Sequence, residues 1–152
     1  MVVKQRAGVR ERATAPEVAR VLLVEGDVTA RLTLKAVLEA SGYSVDGAAS
    51  APEALDKLER DEYALVLCDL HNSPDECRRV INHARAQDYK PATAFLRTSG
   101  GQSRRPKSGR LLIETEEVPA LLTKIADLLA DRAAGRERRI MRRRKVDELV
   151  AN

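Results

Sequence analysis

The chain has 152 residues, no tryptophan, three tyrosines and one phenylalanine, with 27 Lys and Arg against 23 Asp and Glu and a formal net charge of +4. That length suits one compact domain with tails and leaves no comfortable room for a second, output domain. There is no run of about eighteen apolar residues to span a membrane, residues 1–12 are too polar for a secretory signal, and scarce aromatics argue against a stacking surface for single-stranded nucleic acid; a soluble, cytoplasmic protein is expected.

Residues 1–19 show no sustained period and mix charge with Gly and Pro, the pattern of a mobile leader. An ordered domain is expected over 20–131. RVLLVEGD at 20–27 is an apolar run that closes on Glu25 and Asp27, a buried strand. Ala30, Leu34, Val37, Leu38 and Ser41 then fall at helical spacing with Arg31, Lys35 and Glu39 opposite, and Gly42 stops a first helix over 28–41. Residues 43–49 are a second strand by their place in a βαβ unit. Ser50 and Glu53 make a capping box, with Pro52 in the first turn of a helix that buries Ala54, Leu55 and Leu58 and ends near Arg60.

ALVLCDL at 64–70 is an unbroken apolar run ending on Asp69, the signature of a parallel strand covered on both faces. A third helix over 75–87 sets Cys77, Val80, Ile81 and Ala84 against Arg78, Arg79 and Arg85. Residues 93–98 and 111–113 are the fourth and fifth strands, and Pro119 opens a last helix through Leu121, Leu122, Ile125, Leu128 and Leu129. Strands alternating with helices give an α/β fold with a doubly wound, five-stranded parallel sheet. Ligands of such sheets bind outside the carboxyl ends of the strands, where Glu25, Asp27 and Asp69 all fall.

VLLVEGD, a helix closing on SGY, ASAPEAL, ALVLCDL and FLRTSG, in that order, resemble the receiver domain of bacterial two-component response regulators over roughly residues 20–130. The resemblance implies a flavodoxin-like (CheY-like) fold, a phosphoryl group accepted on Asp69, and Mg²⁺ held there by Asp69 and acids at the end of the first strand. It further implies that Thr98, with Ser99 beside it, senses the phosphoryl group. An aspartate attacks a phosphoryl donor only where the crowded charge is neutralised, by a hard cation and a nearby ammonium.

Against the family pattern, Glu25 matches the first acid, Gly26 stands where the second belongs, and Asp27 comes one residue late, a step that turns a side chain to the other face. Glu114 stands where a lysine is expected, followed by Thr115 rather than Pro; pointed at the site, it would repel a phosphoryl group by on the order of 1 kcal/mol. SGGQSRRPKSGR at 99–110 is barely long enough for a crossover, and its Gly and Pro oppose a helix, so the family's usual fourth helix is expected to be missing or shortened.

Several residues carry a plainer reading as well. Glu25 and Asp27 suit the cap of the first helix; Asp69 is also explained as an inherited carboxylate without turnover; His71 is a loop residue without partners; and Cys68 and Cys77, without CxxC spacing, are expected to be a reduced pair. The stretch from Arg132 to Lys145 holds eight basic residues and one acid, a local +7, while the remainder, with 19 basic and 22 acidic residues, carries −3. This basic tail or helix over 132–152, with Arg136, Arg138, Arg139, Arg142, Arg143 and Arg144 as candidate partner-binding residues, is a solvated extension, a partner-docking or dimerising helix with Ile140, Met141, Val146, Leu149 and Val150 as an apolar stripe, or an attachment to nucleic acid or an anionic surface. Gly135 weakens a continuous helix there.

With no nucleophile–base pair, cofactor fingerprint or metal cluster, the chain is read as a non-enzyme: a stand-alone receiver-like protein in phosphorelay signalling, partnered by a histidine kinase or phosphotransfer protein, a downstream protein, or a second copy of itself. The alternatives are a phosphorylation-independent pseudo-receiver that binds a partner, and a nucleic-acid-associated protein using its basic tail.

Overall fold

Strands and helices alternate along the chain in the computed structural model, which describes residues 18–69, 74–97, 112–114 and 118–151. In order they are β1 (Arg20–Val24), α1 (Val28–Ala40), β2 (Ser44–Ala48), α2 (Ala51–Arg60), β3 (Leu65–Asp69), α3 (Pro74–Arg85), β4 (Ala92–Arg97), β5 (Leu112–Glu114) and α4 (Val118–Ala151). The strands form one sheet in the order β2-β1-β3-β4-β5, with every pairing parallel. This is the doubly wound, flavodoxin-like α/β fold that the alternation of elements predicts.

β3 lies at the centre, and all five of its residues are buried. Its alternate side chains enter two separate cores, as a pleated strand requires. Val66 and Cys68 join Leu22, Ala54, Leu58, Cys77, Val80 and Ile81 beneath α2 and α3. Leu65 and Leu67 join Val21, Leu23, Leu38, Leu121 and Ile125 beneath α1 and α4. Each fully buried leucine contributes about 1.5–3 kcal/mol of apolar burial, so the helices are held to the sheet chiefly by these rows.

The local signals act as expected at the helix ends. Ser50 Oγ accepts from the Glu53 amide at 3.4 Å and Glu53 Oε2 accepts from the Ala49 amide at 3.0 Å, which closes the start of α2. Gly42 adopts φ 99°, a left-handed conformation that glycine takes at no steric cost, and its amide donates to the Glu39 carbonyl to end α1.

α4 departs from expectation. It runs unbroken for 34 residues straight through Gly135; the glycine costs about 1 kcal/mol, and the Ala, Arg, Glu and Leu around it are strong helix formers. On that helix Ile140, Met141, Val146, Leu149 and Val150 are all exposed, and they interleave around the circumference with Arg138, Arg139, Arg142 and Lys145. The apolar stripe anticipated from their spacing does not form.

None of the described helices is long and apolar enough to cross a membrane. Residues 1–17 of the expected leader, His71, Thr98, Ser99 and the 98–111 segment where the family's fourth helix is expected to be missing lie outside the described residues.

Candidate functional site

The strand order reverses direction between β1 and β3, and in open α/β sheets the crevice at such a switch point is where ligands bind. Val24 lies beside Cys68 in the register, so the residues that follow, Glu25 and Asp69, emerge together at that point. The Glu25 amide donates to the Ala48 carbonyl at 2.9 Å and prolongs the extended backbone past β1. Both acids are nearly sealed from solvent, Glu25 at 2% and Asp69 at 3% exposure.

Two buried carboxyls set against each other cannot both ionise cheaply. Burial first, and then the interaction with Asp69, pushes Glu25 up to about 7. Glu25 Oε1 accepts from the Asp27 amide at 2.9 Å, while Glu25 Oε2 and Asp69 Oδ2 are fully shielded from water. A cavity of about 20 Å³, room for one water, borders Asp69 and is walled by Val24, Ser50, Cys68, Glu76 and Cys77.

Asp27 takes a different place. It is the N-cap of α1, and its Oδ2 accepts from the Ala30 amide at 2.9 Å. Among the described residues no group of three or more His, Cys, Asp or Glu is arranged to hold a metal ion. The acids that meet at the switch point are thus Glu25 and Asp69. Two adjacent carboxyls offer oxygen ligands of the kind a hard cation takes, and the enclosed space beside Asp69 has room for one water.

Two features escape the sequence reading. Arg31, assigned by spacing to the solvent face of α1, is half-buried and curls back, its Nη1 donating to the Glu25 carbonyl at 2.8 Å. Gly47 makes this possible: a Cβ there would meet Arg31 Cδ at 3.0 Å. The second is a correction. Cys68 and Cys77 are joined in a disulfide, their Cα atoms 5.8 Å apart, rather than standing as a reduced pair. Spacing of nine residues hides the contact, but Cys68 points from β3 toward α3, whose first turn lays Cys77 over it. Cys77 Sγ also lies 2.8 Å from the Asp69 carbonyl oxygen.

Glu114 is the last residue of β5, opposite Arg97 in the register. The six tail arginines, Arg136 to Arg144, lie on α4 far along the chain from the carboxyl pair and are all exposed.

No protein-family model matches the sequence, and no curated protein matches it. Solved structures do. NtrX from Brucella abortus, solved in complex with ADP, superposes with a TM-score of 0.72 at 19% identity over 85% of this chain, which spans 30% of that protein. The chemotaxis response regulator CheY4 of Vibrio cholerae matches with a TM-score of 0.60 at 22% identity, over 74% of this chain and 99% of the other. A CheY-like receiver domain protein from Methanospirillum hungatei JF-1 gives 0.62 at 22% identity, over 78% and 99% of the two chains.

The fold is that of a response-regulator receiver domain. Within the receiver fold, the Glu25–Asp69 pair occupies the carboxyl end of β1 and β3, and the long α4 carries the chain's excess positive charge.

Proposed function

We propose that this chain works as a receiver in signal transduction, with Asp69 as the phosphoacceptor and a histidine kinase or phosphotransfer protein as donor. The observation that carries this reading is the buried Glu25–Asp69 pair at the β1/β3 switch point, where Glu25 is pushed up to about 7. A folded protein bears such a pair at a cost in stability, which a bound cation would offset.

In the proposed step a carboxylate oxygen of Asp69 attacks the phosphorus of the donor's phosphohistidine, the phosphorus–nitrogen bond breaks, and the imidazole leaves and takes up a proton; with acetyl phosphate the phosphorus–oxygen bond breaks instead and acetate leaves. The product is an aspartyl phosphate. Glu25 and Asp69 would hold Mg²⁺, which would neutralise charge on the incoming phosphoryl oxygens. Asp27, its Oδ2 engaged by the Ala30 amide, serves the helix cap, and Thr98 is proposed to sense the product.

Intact-mass measurement after treatment with acetyl phosphate and Mg²⁺ tests this directly. A phosphoryl-sized increase that requires both the metal and Asp69, and is absent from Asp69→Asn, is expected. No adduct under conditions that label an ordinary receiver would contradict it. That result would favour a phosphorylation-independent binding module, a reading supported by Gly26 in place of the second acid and by the capping role of Asp27.

A further inference from the structure

The receiver reading leaves the second half of α4 unexplained. Arg132 ties it to the domain, donating through Nη2 to the Tyr89 carbonyl at 2.8 Å and through Nε to the Lys90 carbonyl at 3.0 Å, and beyond it Arg136, Arg139 and Ile140 line a cavity of about 340 Å³ with Glu62, Asp88, Tyr89 and Lys90. From Arg136 to Asp147 every residue is exposed. A helix of 34 residues extends about 50 Å, so some 20 Å of it carries the basic run.

The arrangement of that charge is ordered. Arg136, Arg139 and Arg143 fall on one line along the helix, Arg138, Arg142 and Lys145 fall on another, and Arg144 lies on the remaining side. At about 100° per residue the two lines lie roughly 120° apart around the axis. We propose that this part of α4 is a docking surface for duplex DNA, lying in the major groove with its exposed arginines set against the phosphate backbones.

A helix about 10–12 Å across matches a major groove about 12 Å wide, with the two phosphate strands flanking it. The charge contrast supports the same occupant, since the basic run carries +7 and the remainder of the chain −3. Like-charged pairs at i and i+4, Arg138 with Arg142 and Arg139 with Arg143, oppose each other on the free helix, and polyanion binding relieves that repulsion. An anionic membrane is disfavoured because an interfacial helix needs a segregated apolar face, whereas Met141, Val146, Leu149 and Val150 share their arc with arginines. The same interleaving denies a second copy the continuous apolar seam of a coiled coil.

The test is fluorescence anisotropy of the full chain with a labelled duplex of two helical turns, across a salt series. Six phosphate contacts predict a log–log salt slope of about −5 and on the order of a thousand-fold weakening between 50 and 200 mM salt. Arg139→Gln with Arg143→Gln should lower the slope magnitude by about two and weaken binding at least ten-fold at low salt, by roughly two lost contacts; the corresponding double lysine variant should retain binding. Far-ultraviolet circular dichroism of both variants confirms that the helix persists. No binding at 50 mM salt, a slope near zero, a glutamine variant that binds like the parent, or tighter binding to phosphatidylserine vesicles than to the duplex would each overturn the proposal. None of these readouts depends on Asp69.

Discussion

Near the amino end of the sheet, Asp46 is matched by the Arg20 guanidinium at 2.9 Å and by the Tyr63 hydroxyl at 2.8 Å, and Arg20 also reaches Asp61 at 3.5 Å while lying 5.1 Å from the Tyr63 ring centre. At the carboxyl end, Glu25 and Asp69 are more deeply buried, yet the Glu25 carboxyl is set against another acid. The same residue types serve opposite purposes. Acids given cations hold the strands together, whereas acids packed against each other weaken the fold.

Protonation sharpens this contrast most. Glu25 is raised from an ordinary value of 4.5 to about 7, so the folded protein holds its proton over a range in which the unfolded chain has released it. The contribution of Glu25 is therefore fully present below about pH 4.5 and is lost as pH rises through 7. It should amount to roughly 3 kcal/mol between those limits. Glu25→Gln should flatten that part of the curve and be more stable than the parent at pH 8, as measured by urea unfolding at several pH values; an unchanged pH profile would show that the pair does not interact.

The disulfide ties the same end together. Cys77→Ala should cost about 2.5 kcal/mol for the lost cross-link over so short a loop, and the intact protein denatured without reductant should take up no alkylating agent. Two alkylated thiols would show that the cysteines are apart.

At the amino end the effects should be smaller. Tyr63→Phe removes the hydrogen bond to Asp46 and should cost about 1 kcal/mol. Burial, reinforced by Asp46, also holds the Tyr63 hydroxyl above its usual range, so it should stay un-ionised when exposed tyrosines titrate. Away from both ends, Lys35→Ala breaks an exposed pair with Glu39 at 3.7 Å and should change stability by less than about 0.5 kcal/mol.

The fold is legible in sequence because its cores are periodic. Cys77, Val80, Ile81 and Ala84 are spaced to face one side of a helix, and all four are buried. The unbroken run before Asp69 likewise announces a strand covered on both faces. The site is legible only in part, because its details depend on contacts between elements. Asp27 at a strand end is equally suited to holding a cation and to capping α1, and only the backbone path through Gly26 decides between them. Arg31 reads as solvent-facing until Gly47 on β2 is seen to leave it room. Cys68 and Cys77 share no recognisable spacing, and the packing of α3 on β3 brings them together.

The most direct test of the carboxyl pair as an ion site is unfolding at pH 8 with and without millimolar Mg²⁺. Binding to the folded state alone must stabilise it, so the parent should gain stability with Mg²⁺, and the gain should vanish in both Glu25→Gln and Asp69→Asn. Stability that is indifferent to Mg²⁺, or a gain that survives in both variants, would contradict the assignment of Glu25 and Asp69 as the cation-assisted acceptor site.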